Sequence, residues 1–404
     1  MFSTTALRFL FLGSLLLVAC STGVKAPIQP SQPPVNLPKI DKVNKIKSEE
    51  AVVVLPFQSI DDEFQMSMKP LWNNFYKEDF TDTRSVDVIV VTDRKLKGKN
   101  FGCSNNNFGV EMDLATRYGV CKINVPKNHS TGQYNLTRDN RQSSHNFFKI
   151  LNSKILQSSE LMEYLKKTKK IPLVFVHGFN VKYEDAILRA AQIAFDIKYQ
   201  GPVILFSWPA GAGDGFFDDK MITKTYESNL KNAKASIESF KKFLTELSIN
   251  DIKINLLAHS MGHQVVLPAL KEISVSNNHK SVINELILNA PDFEANEFLK
   301  YIDNIKEISR RITLYCSYND KALMASETYN KSERLGACTF SENIDSINVG
   351  LIDAPSIGEL GHSYYASRAI LGDVFLVLMG IDAEKRLFIK KSEPNSTEKY
   401  YLRP

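Results

Sequence analysis

Between Pro172 and Tyr315 the chain alternates short apolar runs with longer amphipathic stretches, a pattern that few folds can accommodate. The runs are Pro172–Val176, Val203–Phe206, Ile252–Leu257, Leu286–Leu288 and Ile312–Tyr315, each almost continuously apolar. A strand with one solvated face alternates apolar and polar residues, whereas a continuous run suits a parallel strand covered by helices on both faces. Helical spacing fills the gaps: Ala186, Ala190, Ile193, Ala194 and Ile197 lie within Tyr183–Tyr199, and Leu230, Ala233, Ile237, Phe240 and Leu244 within Thr225–Leu247. A last apolar stretch spans Tyr364–Met379. Alternation of this kind predicts an α/β fold, a doubly wound, mostly parallel sheet with right-handed crossovers and ligands at the carboxyl ends of the strands.

At one such end stands Ala258-His259-Ser260-Met261-Gly262, directly after Ile252–Leu257 and before helix-compatible sequence. A serine hydroxyl becomes a useful nucleophile only when a base reaches it and its position is held. A sharp strand-to-helix turn exposes Oγ but leaves no room for side chains two positions to either side. Ala258 and Gly262 meet that demand, with alanine in place of the more usual first glycine. The pattern reads as a nucleophile elbow; the plainer reading is a buried serine capping a helix.

Ahead of the alternating region the composition changes twice. Arg8 precedes the apolar run Phe9–Val18, too short for a membrane span, and the run closes on Leu17-Val18-Ala19-Cys20. These four residues resemble the lipobox of bacterial lipoprotein signals, which implies diacylation at Cys20 after cleavage. Ser21 in place of aspartate points to the outer membrane, facing the periplasm or the cell surface. Pro27, Pro30, Pro33, Pro34 and Pro38 then mark a proline-rich tether that cannot bury a core. Val52–Leu55, Val86–Val91 and Tyr118–Val125 read as strands of a small extension at one edge of the main domain. The expected divisions are a signal peptide at 1–19, a tether at 20–50, a β-rich extension at 51–170, a catalytic domain at 171–385 and a polar tail at 386–404. With 43% hydrophobic and 24% charged residues and a net charge of +5 without long like-charge runs, the chain is globular and lacks a nucleic-acid-binding signature.

Several further motifs fall in a telling order: Val-His-Gly-Phe-Asn at 176–180, Leu-Phe-Ser-Trp-Pro at 205–209, the elbow, Ala-Pro-Asp at 290–292, Asn-Asp-Lys-Ala-Leu at 319–323 and Gly-His-Ser-Tyr at 361–364. Together they resemble a bacterial esterase/lipase-like branch of the α/β-hydrolase superfamily, much of it without an assigned substrate. The resemblance implies a triad in the chain order Ser, Asp, His. Ser260 is then the nucleophile, and the base follows it. Among His263, His279 and His362, the first sits on the elbow's own helix and the second in a polar connection, so His362 is the candidate base. Asp292 and Asp320 both follow apolar strands; the superfamily's usual strand count selects Asp320 and leaves Asp292 in the pocket wall. The backbone N–H groups of Phe179 and Met261 can form the oxyanion hole, with Gly178 allowing close packing against the elbow. His177 and His259 read as structural.

The implied activity is cleavage of carboxylic esters, with a small-molecule or lipid ester as substrate and a membrane partner through the N-terminal anchor. A thioesterase, peptidase or acyltransferase would use the same machinery, and a non-catalytic binding lipoprotein would keep the fold without the reaction. No cofactor is implied: Gly211-Ala212-Gly213-Asp214-Gly215 lacks the Gly-Lys-Ser/Thr of a phosphate loop, and the histidines and cysteines show no metal-binding spacing. The four cysteines after Cys20 allow three pairings, of which Cys103 with Cys121 and Cys316 with Cys338 are the shortest closures; four buried thiols are the other reading.

Overall fold

The computed structural model describes residues 85–137, 144–211, 219–275, 281–338, 344–352 and 362–403. The expected signal and tether, Cys20, the strand Val52–Leu55, Gly213 to Gly215 and His279 lie outside the described residues.

The described residues form one sheet of eleven strands. In chain order these are β1 (Ser85–Leu96), β2 (Phe108–Asn124), β3 (Lys149–Leu156), β4 (Leu173–Val176), β5 (Val203–Ser207), β6 (Ile254–His259), β7 (Ile283–Asn289), β8 (Ser309–Cys316), β9 (Asp345–Asn348), β10 (Ile389–Lys391) and β11 (Tyr400–Leu402). Across the sheet they run β10-β11-β9-β8-β7-β6-β4-β5-β1-β2-β3. From β11 to β1 every neighbour is parallel; β2, β3 and β10 add antiparallel edges. The fold is the doubly wound α/β arrangement expected, and its strand order reverses between β4 and β6. Loops leaving adjacent strands there diverge to opposite faces and open a crevice at their carboxyl ends.

Burial on both faces explains the continuous apolar runs. Val174, Val176, Leu256 and Ala258 pack into one layer with Phe240, Leu244 and Leu270. Their strand neighbours Leu173, Phe175 and Leu257 face the other layer, with Ala186, Ile193 and Leu371. The stretches read as helical are so with two differences, and Ser158–Thr168, Ala295–Ile308 and Lys321–Asn330 are helices beyond them. Thr225–Leu247 is read above as one helix but divides into Asp219–Ala235 and Ile237–Ile249 at Ser236. Tyr364–Met379 begins as a 3₁₀ turn at Ser363–Ala366, and Ser367 then caps the helix Arg368–Leu378.

The amino-terminal extension is continuous with the main sheet, because β1 pairs in parallel with β5 from Val88↔Val203 to Thr92↔Ser207. A disulfide joins Cys103 to Cys121, tying the connection after β1 to β2, and a second joins Cys316 to Cys338. The segment 386–404, expected as a polar tail, contributes β10 and β11 and buries Ile389, Tyr400 and Leu402. Its polarity hides an anchor: buried Arg386 donates to Asp373 (2.8 Å), which also accepts from the Tyr315 hydroxyl (2.5 Å). Asp373, on the helix Arg368–Leu378, is thus part of a buried network.

Asp93, on β1, is buried beside Ser236 and Ser239 at the start of the helix Ile237–Ile249. The hydroxyls lie close without closing a well-formed hydrogen bond to either carboxylate oxygen. Burial raises the carboxyl from its ordinary 3.8 to about 6, against the lowering pull of the two serines and Arg94. A carboxyl raised on folding stabilises the fold fully below its unfolded value, and that contribution disappears as pH rises through the folded value. Asp93→Asn should therefore gain stability relative to wild type by up to about 3 kcal/mol between pH 4 and pH 7. Denaturant titrations across that range check this; parallel curves for the two proteins would overturn it.

Candidate active site

The crevice at the reversal of strand order is lined by the turns that leave β4 and β6, and two glycines set how closely those turns approach. A Cβ on Gly262 would lie 2.6 Å from the His177 carbonyl oxygen and 3.0 Å from that of Val176. A Cβ on Gly178 would lie 2.8 Å from the Ser260 Cβ. Any larger residue at either position would push the two turns apart.

Ser260 directly follows β6 with φ at +52°, a region that non-glycine residues rarely occupy. Neighbouring groups hold its carbonyl: His263 Nδ1–H donates to it at 2.8 Å and the Asp292 N–H at 3.2 Å. Ser260, Met261 and Gly262 form one 3₁₀ turn before the helix His263–Val275, so Met261 presents its N–H at a helix start. Opposite lies His177-Gly178-Phe179-Asn180. Asn229 Oδ1, on the helix Asp219–Ala235, accepts the N–H groups of Asn180 and Gly211 at 3.1 Å each and holds this turn from outside.

His362, which precedes the 3₁₀ turn Ser363–Ala366, and Asp320, which follows β8, are brought together from two further segments. Asp320 follows β8 and caps the helix Lys321–Asn330, its Oδ1 accepting the N–H groups of Ala322 and Leu323 at 3.1 Å each. Its Oδ2 lies 2.6 Å from His362 Nδ1. The carboxylate is therefore aimed by the helix on one side and engages the imidazole with the other. Four residues before Asp320, the Cys316–Cys338 disulfide pins the end of β8 to the turn Leu335–Ala337, whose Gly336 N–H donates to Pro291 O at 3.0 Å.

His259 immediately precedes the serine. Its ring stacks on Tyr365 at 3.6 Å between centroids and lies 4.9 Å from that of His362, and its Nε2 reaches the His362 carbonyl at 3.4 Å. This places the His362 segment over the elbow. Among the described residues no hydrogen bond joins Ser260 Oγ to His362; such contacts are commonly loose without substrate and tighten in the reacting complex. Burial holds His259 well below the usual imidazole range, and brings His177 and His263 down to about 3, leaving all three neutral.

Asp292 occupies a different environment. Its carboxylate accepts from the Tyr226 hydroxyl (2.9 Å) and the Ser326 hydroxyl (2.5 Å), with Arg334 at 3.7 Å. Tyr226 packs in turn against Phe179 at 5.9 Å. These side chains form a wall beside the crevice. Sequence reasoning missed Tyr226, Asn229 and Arg94, whose roles arise from contacts between distant segments.

The close approach at Gly262 generates a stability test. Gly262→Ala should lose about 1–3 kcal/mol, as overpacked sites do. Gly372→Ala, inside the helix Arg368–Leu378 with nothing within 4 Å of the added methyl, should gain about 0.4–1 kcal/mol. Thermal unfolding of both variants decides; equal melting points would contradict the tight packing of the turns.

The similarity of this chain to known proteins is concentrated in the same region. No curated protein and no solved structure matches it. A family described as "Alpha/beta hydrolase of unknown function (DUF900)" matches residues 153–378, which include Ser260, Asp320 and His362. That match covers more than half of the 404 residues, and the chain belongs to this family of alpha/beta hydrolases.

Proposed function

We propose that the protein is a serine hydrolase acting on carboxylic esters through Ser260, His362 and Asp320. The observation that carries the reading is the 2.6 Å contact between His362 Nδ1 and Asp320 Oδ2, with Asp320 following β8 and Ser260 following β6 on the carboxyl side of the sheet. With Nδ1–H donated to Asp320, His362 carries its lone pair on Nε2, the nitrogen that can accept the Ser260 proton. Ser260 Oγ attacks the ester carbon as its proton passes to Nε2. The carbonyl π electrons move onto oxygen, which the N–H groups of Phe179 and Met261 receive. Collapse expels the alcohol, protonated by His362, and leaves an acyl-serine that water hydrolyses by the same route in reverse. Asp292 shapes the wall through Tyr226, Ser326 and Arg334.

The protein should label with a fluorophosphonate and turn over nitrophenyl esters, and Ser260→Ala should abolish both. Asp320→Asn should lower kcat by roughly 10⁴ while retaining the circular dichroism of wild type. Asp292→Asn should lose less, partly in KM or stability. A folded wild-type protein that neither labels nor turns over any ester would favour a binding role; a dead Asp292→Asn beside an active Asp320→Asn would reassign the acid.

The setting proposed for this activity is a membrane surface, with the chain held by acylated Cys20. Support comes from Leu17-Val18-Ala19-Cys20 and from two disulfides of the kind that persist outside the reducing cytosol. Metabolic labelling with palmitate should mark wild type and spare Cys20→Ala; a labelled, membrane-bound Cys20→Ala would refute the anchor.

A further inference from the structure

Arg94 is the least expected buried group among the described residues. It is 1% exposed, lies outside residues 153–378, and is carried by a strand of the amino-terminal extension. Long cationic side chains are rarely buried completely unless a carboxylate accompanies them. Here the five guanidinium N–H groups are taken up without a carboxylate. Nε donates to Ser207 Oγ at 2.9 Å, Nη1 to the carbonyls of Ala210 (2.7 Å) and Gly109 (3.0 Å), and Nη2 to Val181 O at 3.0 Å and towards His177 Nε2 at 3.4 Å.

Two of these acceptors bracket the proposed oxyanion donor. His177 lies two residues before Phe179 and Val181 two residues after, so a single planar group ties both ends of the turn that presents the Phe179 N–H. The rest of His177 is held as firmly. Its ring stacks on Trp208 at 5.2 Å and 11° between planes, the Trp208 Nε1–H donates to its carbonyl at 2.8 Å, and its Nδ1 meets Gly178 O at 3.1 Å. The neutral ring accepts from Arg94 at Nε2 and donates from Nδ1. Burial lowers Arg94 to about 9, so the guanidinium remains charged at neutral pH.

The local backbone explains how β1 delivers this group. Up to Thr92 the strand is in register with β5, and Thr92 Oγ1 donates to Ser207 O at 2.6 Å. The pairing with β2 then shifts between Thr92 and Arg94 and again between Arg94 and Leu96. Arg94 lies on the face of β1 that carries Val88 and Val90, the layer that also holds Tyr183, and there it meets Tyr183 at 6.0 Å and His177.

We infer that Arg94 is the positioning residue of the oxyanion hole: it makes no contact with substrate and fixes the Phe179 N–H by holding His177 and Val181 together. The inference rests on the serine-hydrolase reading and assigns the amino-terminal extension a part in the reaction. An oxyanion donor is effective because it is already aimed before charge develops, and losing one typically lowers kcat by 10²–10³-fold. Loosening one is a milder change.

Lysine keeps the charge of Arg94 but cannot bridge the two ends of the turn. Arg94→Lys should lower kcat roughly 10–100-fold with KM within about threefold of wild type. Because the proposed Ser260, His362 and Asp320 set is untouched, the acid limb of the kcat/KM pH profile should keep its midpoint. His177→Gln removes one end of the strap and should lower kcat less. Combined with Arg94→Lys, it should add under about twofold, since both variants break the same constraint. Circular dichroism confirms folding, and should Arg94→Lys not fold, His177→Gln alone decides: a kcat within twofold of wild type refutes the inference. An inert wild-type protein would sink the hydrolase reading and this inference with it. An active wild type with Arg94→Lys within threefold in kcat, a shifted acid limb, or equal losses in all measures would overturn the positioning role alone.

Discussion

The contact between the turns after β4 and β6 is the constraint on which the rest of the site depends. Ser260 adopts a left-handed backbone conformation that serine does not favour, and such a conformation persists only where its surroundings over-determine it. Gly178 and Gly262 bring the neighbouring turn against it with no side chain between them, while His263 and the Asp292 N–H secure the Ser260 carbonyl. The same closeness puts the N–H groups of Phe179 and Met261 on turns that face each other across the crevice.

Around this contact, each chemically interesting side chain is held by a group that also has a structural task. Asp320 caps a helix with one oxygen and meets His362 with the other, so the helix orients the acid. His259 stacks on Tyr365 and reaches the His362 carbonyl, coupling the residue before the serine to the segment that carries the imidazole. The Cys316–Cys338 disulfide ties the end of β8 near Asp320 to a turn packed against Pro291. Rigid placement of this kind aims donors and acceptors before a reaction begins, which is where electrostatic catalysis gains most.

The amino-terminal strands are more than an edge. Arg94 reaches from β1 to the turn after β4, and the loop after β2 reaches the histidine segment. There the Gly132 N–H donates to Asp196 Oδ2 at 2.8 Å, and Gly132 packs against the backbone of Ala366 and Arg368. His129 pairs with the other Asp196 oxygen at 2.5 Å, its side chain 1% exposed. The extension thus supports two segments of the crevice that are far apart in sequence.

Much of the architecture was legible in the sequence, because a parallel strand covered on both faces must be apolar throughout and its covering helices must be amphipathic. That logic located β4 to β8, the helices after β4 and β5 and the elbow, and the two shortest cysteine closures are the ones formed. It passed over β3, whose exposed faces carry mixed residues, the four-residue β9, and β10 and β11, whose anchoring depends on the buried Arg386–Asp373 pair. Candidate site residues could be named from motifs and their order, but their mutual distances could not. Asp292 and Asp320 have the same local signature, a carboxylate after an apolar strand; only the packed structure gives one to Tyr226 and Ser326 and the other to His362. Arg94 has no local signature at all, since its five acceptors come from residues 109, 177, 181, 207 and 210. Periodicity and turn chemistry are properties of neighbours in the chain, so the sequence by itself determined the central parallel strands, the helices after β4 and β5 and the turn at Ser260. Which buried charge meets which acceptor is a property of neighbours in space, and only the tertiary structure decided it.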